Sequence, residues 1–185
     1  MRSHLIALGA ATALLALAGC SGKPDDAATA LPPVQLVRLP AASAGGACIL
    51  WDYTFIERTI GVKFTVAAAD QIDDTSTCVV QTETDEWPDL ALSVLESTKA
   101  DAQLFIDELM PRKATKLKGL GKAAYRLVTK ASGGHGPAVE IGWLSEAEQL
   151  QTLRFTFPKD ASRGAVDDLS PKLLNLAKAM DTTEG

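Results

Sequence analysis

Histidine, cysteine and aromatic side chains are all scarce in this 185-residue chain, and each shortage narrows what it can do. There are two histidines and three cysteines, and aromatics make up 5% of the residues. His4 sits at the extreme N-terminus, so His135 is the one imidazole in the body of the chain for acid–base work. It stands in Gly133-Gly134-His135-Gly136-Pro137, which reads as an exposed loop tip with no neighbouring carboxylate to orient the ring. Two internal cysteines and one histidine supply too few ligands for a structural metal site, which takes four. The elbow G-x-S-x-G that positions a serine nucleophile is missing, as are H-E-x-x-H and the calcium-loop spacing. A formal net charge of −5 argues against a nucleic-acid partner. Long apolar runs are missing too. The charge-free stretch from Leu5 to Ala18 is too short for a hydrocarbon core that takes about 20 helical residues to cross.

That stretch fits a secretory h-region behind the short n-region of Arg2 and His4. It closes on Leu17-Ala18-Gly19-Cys20, which matches a lipobox, the bacterial lipoprotein processing signal. The match implies a diacylglyceryl group on the Cys20 sulfur and cleavage before Cys20; separately, no cofactor is expected. Ser21, Gly22, Lys23 and Pro24 follow at once and would break a helix, against a buried cysteine there. No twin-Arg pair is present, so the general secretory route is expected. The domain plan is a signal at 1–19, a lipidated Cys20 with a Pro- and Asp-bearing tether at 20–33, and one globular domain at 34–185. Localisation follows as the outer side of the cytoplasmic membrane, held by the acyl chains. With Cys20 taken by lipid, Cys48 and Cys78 remain, and in an oxidising compartment they are expected to pair.

Asp52 reads as the N-cap of a short helix that Gly61 ends near Ile60. Val62, Phe64 and Val66 alternate as a strand, Asp73-Asp74-Thr75 turns, and Thr77 to Thr82 returns. Trp87-Pro88-Asp89 is a second turn, leading into a strand from Leu90 to Leu95. Ser97 or Thr98 would cap a helix with the stripe Ala102, Phe105, Ile106 and Leu109, which Pro111 ends. Two strands flank Gly119-Leu120-Gly121, and Ala138–Leu144 and Leu153–Phe157 read as two more. Ser170-Pro171 looks like a helix start, followed by Leu173, Leu174, Ala177 and Met180. The class is α+β: an antiparallel sheet of about six to seven strands with two or three helices packed on one face. Strand order is not legible.

Gly119-Leu120-Gly121-Lys122-Ala123-Ala124 formally matches the dinucleotide fingerprint. Tyr125 to Lys130 reads as a strand where that motif needs a helix, so a glycine-permitted turn is the better account. Ala123 also stands where a phosphate loop needs Ser or Thr. Asp70, Asp73 and Asp74 read as a solvated turn, as do Asp85, Glu86 and Asp89 around Trp87. The clearest pattern is one of charge: no acid lies between Glu108 and Glu140. That stretch carries Arg112, Lys113, Lys116, Lys118, Lys122, Arg126 and Lys130, a candidate surface for an anionic partner. The plainer reading is a strand edge on which lysines discourage sheet-to-sheet pairing.

Taken together, Cys20 with its lipobox and polar tether, Cys48 leading into a short helix ending in Gly61, Cys78 opening a strand, the Gly-x-Gly stretch and the closing Leu/Ala-rich helix resemble a family. It is an uncharacterised family of actinobacterial lipoproteins, a domain of unknown function. The resemblance spans most of the chain beyond the signal. The family pattern tends to place Trp two residues after the second cysteine, where Val80 stands here. The resemblance implies no catalytic residue.

Three functions compete on this sequence. The first is a membrane-anchored, non-enzymatic binding or accessory module for an envelope protein or anionic lipid. The second is a lipid or glycolipid carrier with an internal apolar cavity. The third is an envelope hydrolase built on His135. A deep apolar pocket would favour the carrier, and a filled core would favour surface recognition.

Overall fold

Two-residue periodicity in the middle of the chain and 3.6-residue stripes near its ends build a sheet flanked by helices. The structure, a computed structural model, describes residues 39–96 and 99–181. The strands are β1 (Val66–Ile72), β2 (Thr75–Gln81), β3 (Asp89–Leu95), β4 (Thr115–Leu117), β5 (Ala123–Thr129), β6 (Ala138–Leu144) and β7 (Leu150–Thr156). They form one seven-stranded sheet in the order β1-β2-β3-β7-β6-β5-β4, every pair antiparallel. Two meanders, β1 to β3 and β4 to β7, meet where β3 pairs with β7. The fold is α+β, and its compact unit spans Val37–Gly185. Residues 1–38, which include the expected signal, Cys20 and the expected tether, lie outside the described residues.

Register decides which side chains meet. Cys78 and Val80 of β2, Leu90, Leu92 and Val94 of β3, Leu153 and Phe155 of β7, and Val139, Ile141 and Trp143 of β6 share one face and are buried. Helices α1 (Tyr53–Ile60) and α3 (Arg163–Asp181) cover that face, adding Ile56, Ile60, Val166, Leu169, Leu173, Leu176 and Ala177 to the same core. The third helical element packs on the other face. It is one α-turn (α2, Ala102–Leu104) continued by a π-helical turn (Phe105–Leu109), and it covers Tyr125 and Leu144.

Element boundaries follow local chemistry, with four corrections. Helix α1 begins as the sequence predicts, the Asp52 carboxylate accepting from Phe55 N at 2.7 Å, and ends at Gly61 in the left-handed region. The first strand begins at Val66, so Val62 and Phe64 precede it, with Phe64 buried in the core. Cys78 sits in the middle of β2 rather than opening it. Ser97 and Thr98 lie outside the described residues, and the cap of α2 is Asp101, which accepts from Leu104 N at 2.8 Å. Ser170 and Pro171 lie inside α3, because Val166 and Leu169 extend its apolar stripe by two turns and Ser162 meets the Ala165 N–H at 3.2 Å. Pro171 has no N–H to donate, while the Ser170 hydroxyl bonds back to Val166 O at 2.9 Å.

Candidate functional site

The cysteines fix the segment that enters the domain. Cys48 lies in a 3-10 turn (Gly46–Leu50) ahead of α1, and Cys78 on β2 faces it. They form a disulfide with Cα atoms 4.9 Å apart, and both are fully buried. A second fastening lies beside it, where Ala47 N donates to Ser76 Oγ at 2.8 Å.

The basic residues of the acid-free stretch gather at one end of the sheet, since β4 is the terminal strand. Arg112 and Lys113 lie in the turn entering β4, Lys116 on β4 itself, and Lys118 and Lys122 in the turn to β5. Arg126 lies on β5 and Lys130 just past its end. All are exposed except Arg126, which is half-buried. Lys122 pairs with Glu148 at 3.0 Å. The Gly119–Gly121 segment is a hairpin turn, not a strand-to-helix phosphate cradle. Gly121 has φ +50°, and a Cβ there would overlap the Leu144 carbonyl, so glycine is required. Lys178 of α3 joins this group, its Nζ 3.7 Å from where a Gly119 Cβ would stand. Sequence reasoning missed it, although a lysine in a helix's last turn is the available signal.

Asp70, Asp73 and Asp74 belong to the β1–β2 hairpin at the opposite edge, and are exposed. Six inter-strand steps of about 4.8 Å separate the two edges, roughly 29 Å. The Debye length is about 8 Å at physiological salt, so each edge presents its own field to a partner.

A third cluster lies on the sheet face opposite α1 and α3. The Tyr125 hydroxyl donates to Glu140 Oε1 at 2.8 Å, and Arg154 Nη1 lies 3.5 Å from Glu140 Oε2. Phe105 stacks on Tyr125 at 5.8 Å, and burial, reinforced by the Glu140 charge, raises the phenol well above its ordinary value of 10.0. Next along the face, Asp89 stands opposite Thr156. Burial raises its carboxyl, opposed by the Thr156 hydrogen bonds, Arg154 and His135, and Asp89 Oδ1 is buried without a hydrogen-bond partner. His135 packs against Trp87, ring centroids 5.2 Å apart, and its Nδ1 lies 2.6 Å from the Gly136 carbonyl.

The sequence therefore misjudged His135: it is half-buried, not a free loop tip, and it lies near enough to Asp89, 46 positions away, for its charge to act weakly on that carboxyl. The Gly136 carbonyl can only accept, so in this hydrogen bond Nδ1–H is the donor. The cluster brings together the His135 ring and the Trp87 indole, both from loops, and the Arg154 guanidinium of β7.

Between the sheet and helices α1 and α3 the described apolar side chains pack closely. Trp143, Phe64, Phe155, Leu90, Leu92 and Ile141 are buried against one another between sheet and helices. Grooves open at the surface, including one of about 290 Å³ between Leu50, Phe55 and Met180. Among the described residues no cluster of His, Cys, Asp and Glu is placed to hold a metal ion. No described helix is long and apolar enough to cross a membrane. No protein-family model, curated protein or solved structure matches the chain.

Proposed function

We propose that the chain is a cell-envelope lipoprotein, related to the actinobacterial family it resembles. Acylated at Cys20 on the outer side of the cytoplasmic membrane, it acts as a non-enzymatic binding or accessory module. The observation that carries this reading is the collection of Arg112, Lys113, Lys116, Lys118, Lys122 and Lys130, all exposed, around the terminal strand β4. Lys116 on the edge strand itself discourages edge-to-edge pairing. The group as a whole presents a positive field to an acidic envelope protein or anionic lipid. The Cys48–Cys78 bond supports an oxidising compartment and leaves Cys20 as the thiol for lipid. The close packing of Trp143, Phe64 and Phe155 supports surface recognition, and no nucleic acid or cofactor enters the reading.

The test exchanges Lys113, Lys116 and Lys118 for Glu in the full chain. In-cell crosslinking and flotation with phosphatidylglycerol vesicles are then compared with the unaltered protein. The altered chain should lose its crosslinked species, its preference for anionic over neutral vesicles, or both, at unchanged Tm. Retention of both would sink the reading. Intact mass decides the anchor separately, by the presence or absence of the acyl group on Cys20.

A further inference from the structure

The described domain exposes a set of large apolar side chains that the fold does not use. Leu39 is 60% exposed, Ile49 67%, Leu50 39% and Phe55 36%. They fall within the first seventeen described residues and border two adjoining grooves. One, of about 290 Å³, runs between Leu50, Phe55, Leu176 and Met180. The other, of about 580 Å³, runs from Leu39 past Ile49 to Trp51 and Tyr53. Leu50, Trp51 and Asp52 line both, so the patch is continuous. Asp52 is the charged residue lining the grooves, and its carboxylate is engaged in capping α1. The patch is held rigidly, because the Gly46–Leu50 turn is clipped to β2 by the disulfide and by the Ala47–Ser76 hydrogen bond.

We infer that this patch seats in the head-group and acyl boundary of the bilayer, fixing which side of the domain faces the membrane. The inference rests on the lipid anchor proposed above. Covalent geometry holds Leu39 within roughly 65 Å of the Cys20 sulfur however the intervening chain runs, at 3.3–3.6 Å per residue. Leu39 itself belongs to the patch, so the chain from Cys20 enters the domain at this apolar surface. Side chains of this kind insert about 5–10 Å into the boundary layer and are driven by apolar area. Asp74 and Glu96 line a third groove that meets the patch at Ile49 and Leu50, so the patch gains nothing from anionic lipid. It differs in this from the basic β4 edge, which neutral lipid would not recruit.

The experiment uses the full acylated chain in phosphatidylcholine vesicles whose acyl chains are brominated near the head group. Two exposed positions receive a tryptophan reporter: Ile49→Trp inside the patch, and Val128→Trp on β5, 48% exposed and outside it. Quenching is read as the increment over the unaltered protein, whose own tryptophans are common to all samples. Ile49→Trp should be quenched several-fold more than Val128→Trp, and the difference should persist in high salt. Equal quenching of the two reporters, or none at Ile49→Trp, overturns the inference. That result includes coverage of the patch by the chain's own N-terminal segment or by a second copy. Both sites are surface-exposed, and an unchanged Tm verifies each variant's fold. Mass spectrometry of the same samples reads the acyl group, so failure of the anchor and failure of the contact register in different measurements.

Discussion

At the scale of single residues, the open sheet face carries costs that folding alone does not require. Asp89 sits opposite Thr156 with one carboxylate oxygen buried and unpartnered, and burial raises its carboxyl above the ordinary value of 3.8. A carboxyl whose folded-state value is raised favours the protonated form. Its stabilising contribution is present below that ordinary value and is lost as pH rises through the folded one. At neutral pH the charged Asp89 is therefore a net cost. Asp89→Asn should raise Tm near pH 7, and thermal melts should show the gain closing as pH falls toward about 4. An equal gain at both pH values would show that desolvation of the charge is not the cause. Costs of this kind concentrate where a surface is kept for a ligand. The proximity of Asp89 to His135 was invisible in the sequence because 46 positions separate them, whereas the acid-free run that becomes the basic edge was plain by inspection.

At the scale of elements, legibility follows how local the determining interactions are. Helix α1 is delimited by Asp52 and Gly61, both readable, since a cap and a left-handed stop act within one turn. The Asp73-Asp74 turn and the β4–β5 hairpin are equally local. Helix α3 was misread at its start because Ser170-Pro171 imitates one. The tertiary burial of Val166 and Leu169 carries the helix back to Arg163. The same contrast separates Phe64, which alternates like a strand residue, from β1, whose ladder begins two residues later. Because the Asp52 cap is local, its removal should cost a local amount. Asp52→Ala leaves the Phe55 N–H without its 2.7 Å partner and should destabilise by about 1 kcal/mol. In a chain of this size that is a Tm loss of roughly 2–4 °C, checked by calorimetry. A loss several times larger would mean that α1 organises the core rather than closing it.

At the scale of the whole molecule, strand order is set by one pairing that no short-range signal announces. Leu95 of β3 meets Leu150 of β7, joining two meanders that are each locally encoded, and the element between them crosses to the opposite face. Such non-local pairing pays loop-closure entropy before it is rewarded, so a covalent clip that shortens the unfolded chain's freedom matters. Cys48 and Cys78 are 30 positions apart and tie the entering segment, with the exposed apolar patch it carries, to the N-terminal meander. In the chain-entropy account a loop of that length stabilises by about 3–4 kcal/mol. Cys48→Ala with Cys78→Ala should lower stability by about that amount in denaturant melts. It should also release the Gly46–Leu50 turn before the sheet opens, so that Ala47 exchanges its amide hydrogen earlier than β6 does. A variant that loses the stability yet keeps Ala47 as protected as β6 would place the bond's effect in the unfolded chain alone. It would also leave Ser76, not the disulfide, as the group that holds the apolar surface in shape.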